Sequence, residues 1–181
     1  MPTFKPIIGH PFTPSEFESY CDALQFTTWR PSFIVLHNTA QPSLKDRPLG
    51  FTRQHMQSFV RYYRDQLHWS AGPHLFIDDH HIWVFTPLTT PGVHSPSWNK
   101  NALGIEMLGN YATESFKEGR GLLVRQNTVA ALAILCTTLN ISPSTLHLHK
   151  EDPLTKHICP GRNVIKQELI QEINVLLEQR R

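Results

Sequence analysis

Charge is scarce in this chain, and no basic run occurs in it. Only 18% of the 181 residues are charged and the formal net charge is +2, too weak a balance to mark a nucleic-acid partner. Three cysteines cannot all pair and none forms a CxxC, so a disulfide framework and a paired-cysteine zinc module are both excluded. No stretch approaches eighteen apolar residues, and no transmembrane segment is expected. The opening MPTFKPIIGHPF has neither a charged lead into a long apolar run nor a small-residue cleavage site; the expectation is synthesis in the cytoplasm without a signal peptide. Internal repeats and low-complexity linkers are missing too. With 40% hydrophobic residues, the length supports one real core, and one domain over 1–181 is expected.

What is present reads as strands interspersed with helices. Thr13 caps a short helix with Glu16 three residues on, and Phe17, Tyr20, Cys21 and Leu24 follow at helical spacing; this helix belongs to a lead-in over 1–28. After Pro31, SFIVLHNTA is an apolar strand whose end carries His37 toward the sheet edge. Thr52 to Leu67 predicts a helix with Met56, Phe59, Val60, Tyr63 and Leu67 as its buried stripe. PHLFIDDHHIWVF reads as a hairpin about Asp78 to His81, although that turn has no glycine. The proline-rich TPLTTPGVHSPSWNKN must be loop. ALGIEMLG is a strand holding Glu106 among apolar neighbours. An amphipathic helix is expected from about Leu122 to Leu139, using Val129, Leu132, Ala133, Cys136 and Leu139, then a short strand LHLH. A closing helix over 163–178 presents Ile165, Leu169, Ile173, Leu176 and Leu177. The pattern predicts an α/β domain with a central mixed sheet flanked by helices.

The chemistry concentrates near the C-terminal end, in LHLHKEDPLTKHICPG, which carries His147, His149, His157 and Cys159. Joined to His37 from the distant strand, one imidazole and one thiolate from this string make three metal ligands and leave a fourth tetrahedral position open, the arithmetic of a catalytic zinc site. Alternation in LHLH points His147 and His149 to one face, and spacing alone does not choose between them. Pro160 and Gly161 set a sharp turn that can aim the Cys159 thiolate back at the strand. Cys21 and Cys136 fall on apolar helix stripes, where a thiol is a small hydrophobe. His74, His80 and His81 crowd the hairpin without a matching cysteine or carboxylate, and they read as structural or exposed.

In order along the chain, LHNTA, GPHLFIDD, GVHSPSWN, ALGIEMLG and HKEDPLTKHICPG resemble the zinc-dependent N-acetylmuramoyl-L-alanine amidases. The likeness is greatest to their phage endolysin branch, whose fold is shared with peptidoglycan recognition proteins, and it covers about residues 29 to 165. It implies Zn2+ held by His37, His149 and Cys159, with His149 preferred because it directly precedes KEDP. It implies hydrolysis of the amide between the lactyl group of N-acetylmuramic acid and L-alanine of the stem peptide. GIEM resembles the family's GIE block, which makes Glu106 a candidate general base, or else a partner orienting a ligand histidine. Where many relatives carry an oxyanion-stabilising lysine this chain has His157, whose protonated ring can donate to the same oxygen, at the cost of greater pH sensitivity. Pro73 stands where some amidases place a catalytic tyrosine. His94 resembles a cleft histidine that contacts substrate, or makes a loop hydrogen bond. Trp98 and Asn99 in the same loop are candidates for contacting sugar or stem peptide, against the alternative of an indole that anchors the loop.

The expected partner is therefore peptidoglycan or a muropeptide, with no nucleic acid, bound by a monomer that reaches the wall after release through lysis. Three other readings compete: a noncatalytic recognition module, a cytosolic amidase that recycles wall fragments, and an unrelated metal-binding domain with a nucleic-acid partner. Retention of Cys159 argues against the first of these.

Overall fold

Short apolar runs bounded by polar turns become strands, and six of them pair into one sheet. In the computed structural model, which describes residues 3–180, these are β1 (His10–Phe12), β2 (Phe33–Asn38), β3 (Leu75–Ile77), β4 (Ile82–Val84), β5 (Ala102–Met107) and β6 (His147–Leu148). Their order across the sheet is β1-β4-β3-β5-β2-β6. One side is antiparallel, β1 with β4 and β4 with β3; the other is parallel, β3 with β5, β5 with β2 and β2 with β6. Four helices, α1 (Pro14–Asp22), α2 (Arg53–Arg61), α3 (Gly119–Leu139) and α4 (Lys166–Gln179), flank it. The single α/β domain with a mixed central sheet is the architecture expected.

Local rules account for most element ends. The Thr13 hydroxyl accepts from the Glu16 amide while the Glu16 carboxylate accepts from the Thr13 amide, closing the capping box of α1. Its apolar face buries Phe17 and Cys21. In the hairpin, the missing glycine is replaced by Asp78, whose Oδ1 accepts from the His80 and His81 amides at 2.8 and 2.7 Å.

Three expectations change. The helix over 52–67 runs as α2 only to Arg61, and a π-helical turn takes over at Tyr62–Gln66. That turn shifts the register, so Tyr63 stays buried while Leu67 is 36% exposed. The helix expected to be amphipathic, α3, starts earlier and is buried on most sides, because it packs against the sheet, α1 and α4 together. By length and composition it is apolar enough to cross a membrane, and 61% of its most apolar window is buried inside the fold, which accounts for its apolarity. The closing helix begins at Lys166, after an extended Ile165 that is left exposed. Arg125 of α3 ties it down by pairing with Glu168 and Glu172.

Candidate metal centre

Parallel pairing sets His37 of β2 directly beside Glu106 of β5, so both side chains leave the same face of the sheet. β2 is an interior strand, not the edge that the sequence suggested for His37. His37 is nevertheless reachable because β6 pairs only with Val35 and Leu36 and stops short of it. The chain then leaves the strand, and His149–Glu151 form a 3-10 turn. This break separates the two histidines of LHLH. His147 packs against Phe33 and Trp98, its ring centre 5.2 and 4.8 Å from theirs, whereas the His149 ring lies 4.2 Å from that of His37. Shared orientation of His147 and His149 fails because the strand ends at Leu148.

The third member arrives through the turn after Cys159. Its carbonyl accepts from the Lys150 amide at 2.8 Å, and its Sγ accepts from the Asn38 amide at 3.4 Å. Gly161 has φ +107°, and a Cβ there would meet the Tyr111 carbonyl carbon at 2.2 Å. Only glycine lets this turn lie so close. One ligand atom each from His37, His149 and Cys159 then lies within 4.8 Å of the others.

Burial holds both imidazoles neutral. It lowers His37 well below the ordinary histidine value, helped by His94, His149 and His157, and lowers His149, helped by His157. Burial also pushes the Cys159 thiol up, reinforced by Glu106 and opposed by the Asn38 amide. His149 Nε2 is buried with no hydrogen-bond partner. Two neutral imidazoles and a thiol that needs a cation in order to ionise are a donor set suited to zinc.

Glu106 stands next to this cluster with its Oε1 4.0 Å from His37 Nδ1 and its side chain 16% exposed. Among the described residues no hydrogen bond reaches its carboxylate, and burial pushes it up to about 8. His157 is exposed, its ring centre 5.3 Å from that of His149.

The residues read as substrate contacts also make bonds and packing contacts within the protein, and His94 and Asn99 line a hollow beside His149. His94 is 5% exposed, with Nδ1 at 3.1 Å from His37 Nε2 and Nε2 at 3.1 Å from the Ala102 carbonyl. Burial lowers it to about 4. Both ring nitrogens are engaged within the protein, and the ring also lines the smaller of two hollows beside His149. Asn99 turns its Oδ1 inward to accept from the His94 and Ser95 amides, each at 2.8 Å. Trp98 anchors the loop against Phe33 and His147, the alternative that its amphipathic ring allowed.

Asp152, present in KEDP but given no role from sequence, ties this loop to the ligand-bearing segment. It is 1% exposed and accepts from the Ser95 and Ser97 hydroxyls at 2.5 Å each and from the Leu154 amide at 2.9 Å. Burial would raise its carboxyl, but those hydrogen bonds outweigh it and hold it at about 2. Trp69 was missed as well. It lines both of two hollows, one of about 490 Å³ containing Glu106, Tyr62 and Tyr63 and one of about 390 Å³ containing His149 and His157. No spacing signal in the sequence marks it.

Comparison with known proteins gives this geometry a context. The family model for N-acetylmuramoyl-L-alanine amidase matches residues 27–162. Peptidoglycan-recognition protein SC2 of Drosophila melanogaster is 26% identical over 139 residues, 74% of this chain and 70% of that protein. Among solved structures, the endolysin N-acetylmuramoyl-L-alanine amidase LysCS from Clostridium intestinale URNW is similar with a TM-score of 0.64 at 26% identity, covering 81% of this chain and 85% of the other. Drosophila PGRP-LB shares the fold, with a TM-score of 0.60 at 17% identity over 84% of each chain.

Proposed function

The chain belongs to the N-acetylmuramoyl-L-alanine amidase family, and on that premise we propose that it is a zinc-dependent hydrolase cleaving the amide between N-acetylmuramic acid and L-alanine of peptidoglycan. The observation that carries this reading is the His37, His149 and Cys159 cluster lying beside Glu106, whose carboxylate takes no hydrogen bond among the described residues, with one hollow at Glu106 and another at His149. Zinc held by these three residues would supply Lewis acidity toward the scissile carbonyl and acidify the attacking water.

The remaining steps fall to the side chains. Glu106, adjacent to His37 and with its carboxylate free of hydrogen bonds among the described residues, accepts the proton of the water in its ionised form and returns it to the amine of L-alanine as the C–N bond breaks. The products are a lactyl carboxylate and a free stem peptide. His157, on the rim, donates to the carbonyl oxygen as negative charge develops there. The larger hollow and the smaller one would hold substrate on the two sides of the scissile bond, with Trp69 common to both.

Likeness to the endolysin LysCS supports a phage or prophage endolysin: one catalytic domain over 1–181, made in the cytoplasm, acting as a monomer on the wall once the cell lyses. The test is mass spectrometry of fragments released from purified peptidoglycan by zinc-loaded protein, with a chelated sample alongside. Free stem peptides beginning at L-alanine, lost on chelation and restored by zinc, are the expected result. Intact muropeptides despite zinc and wall binding would make the chain a recognition module. Cys159→Ser should lose zinc and activity together.

A further inference from the structure

A line of hydrogen bonds joins the sheet backbone to the metal centre. A backbone carbonyl can only accept, so His94 Nε2, 3.1 Å from the Ala102 oxygen, donates to it. Neutral His94 then carries a bare lone pair on Nδ1, and His37 Nε2 lies 3.1 Å away. The proton of that contact belongs to His37. With Nε2 protonated and engaged, the free lone pair of His37 is on Nδ1, the nitrogen that faces Glu106 at 4.0 Å.

The geometry points to His94 as a positioning residue that, through the Ala102 carbonyl, holds His37 in its Nε2–H tautomer and so presents Nδ1 to a metal ion. This rests on the proposal that His37 is a zinc ligand. A ligand histidine gains orientation and basicity when its other ring nitrogen donates to a fixed acceptor; here the acceptor is a second histidine, itself fixed by the backbone. The sheet is shaped to receive it. Gly104 pairs with Val35, two residues before the His37 and Glu106 pair and on the same face, and a Cβ at 104 would come within 2.4 Å of His94 Cγ. Asn99 holds the His94 amide from the other side. The glycine and the glutamate of GIEM thus serve different members of one assembly.

Two readouts test this: the His37 ring tautomer, from long-range proton–nitrogen correlation on metal-free 15N-labelled protein, and zinc affinity, from competition with a chromophoric chelator. Wild-type protein should show the Nε2–H form. His94→Phe should let His37 populate both tautomers and weaken zinc binding by roughly 10- to 100-fold. In His94→Gln the amide oxygen can accept from His37 while its NH2 donates to Ala102, and most of the loss should be recovered. Gly104→Ala, which pushes on the ring, should weaken binding in the same direction and serves if His94→Phe does not fold. Folded His94→Phe or Gly104→Ala protein with wild-type zinc affinity and an unchanged His37 tautomer would overturn the assignment. Wild-type protein that binds no zinc would instead overturn the metal reading, and the tautomer measurement, made without metal, would still decide the role of His94.

Discussion

Asp78, at the turn of the antiparallel hairpin, is fully buried, and its carboxylate accepts from the His80, His81 and Phe51 amides and from the Trp83 indole. Glu106, on the parallel side of the same sheet, accepts from nothing among the described residues and is raised to about 8. Two histidines repeat the contrast. His74, buried under Trp29, accepts from the Gly104 amide on Nδ1 and donates from Nε2 to the Thr90 carbonyl, both at 3.0 Å. His149 has a buried ring nitrogen with no partner. Desolvating a polar group costs free energy unless it is hydrogen-bonded. At Asp78 and His74 the fold meets that cost internally; at Glu106 and His149 it leaves bonding capacity open, and that is where a metal and a substrate would find it.

Mutations at the two kinds of site should therefore separate stability from activity. The largest expected effect is on turnover: Glu106→Gln should lower the rate of stem-peptide release by about 10²- to 10⁴-fold, with zinc content retained and the urea midpoint nearly unchanged. A Glu106→Gln protein with normal turnover would remove this residue from the mechanism. Asp78→Ala should do the reverse. It strands several buried donors and should cost about 3 kcal/mol or more in urea unfolding, while activity per folded molecule holds near wild type.

A smaller effect comes from His74, and its sign follows from the direction of its shift. Burial first, and then the neighbouring His94, lower its pKa from 6.5 to about 3, so the folded state resists a proton that the unfolded chain takes up below 6.5. Stability is therefore fully present above pH 6.5 and is lost as pH falls toward 3. Between pH 7 and pH 5 the loss should be on the order of 2 kcal/mol, and His74→Gln should flatten that slope in urea titrations at the two pH values. Smallest of all should be His147→Ala, which leaves zinc stoichiometry at wild type, whereas His149→Ala abolishes it. Equal loss in both would mean that the break after Leu148 does not separate them in solution.

Much of the fold is legible in the sequence because it depends on neighbours along the chain. The Thr13 and Glu16 box, the hairpin about Asp78, and the strand ending at His37 are all local signals. What escapes is set by packing at a distance. Whether His147 or His149 meets His37 depends on where pairing with β2 stops, and no alternation rule encodes that. His94 and His37 are separated by 57 positions, so their contact is invisible until β5 brings Gly104 beneath the ring. For the same reason the pairing of a cleft histidine with His37 goes unread, and Asp152, which looks like one acidic residue among several, becomes the tie between two loops.

One consequence of the ligand geometry concerns chain connectivity. Asn38 and Cys159 touch although they stand 121 positions apart, so a metal held by His37 and Cys159 would close most of the chain into a single ring. The unfolded chain holds no preformed site, so the energy of metal capture, less the entropy of closing that ring, becomes energy of folding. Chelation should then loosen the C-terminal fifth, from β6 through α4, and expose it to proteases. On this view the lifetime of the folded protein is governed by metal supply as much as by temperature.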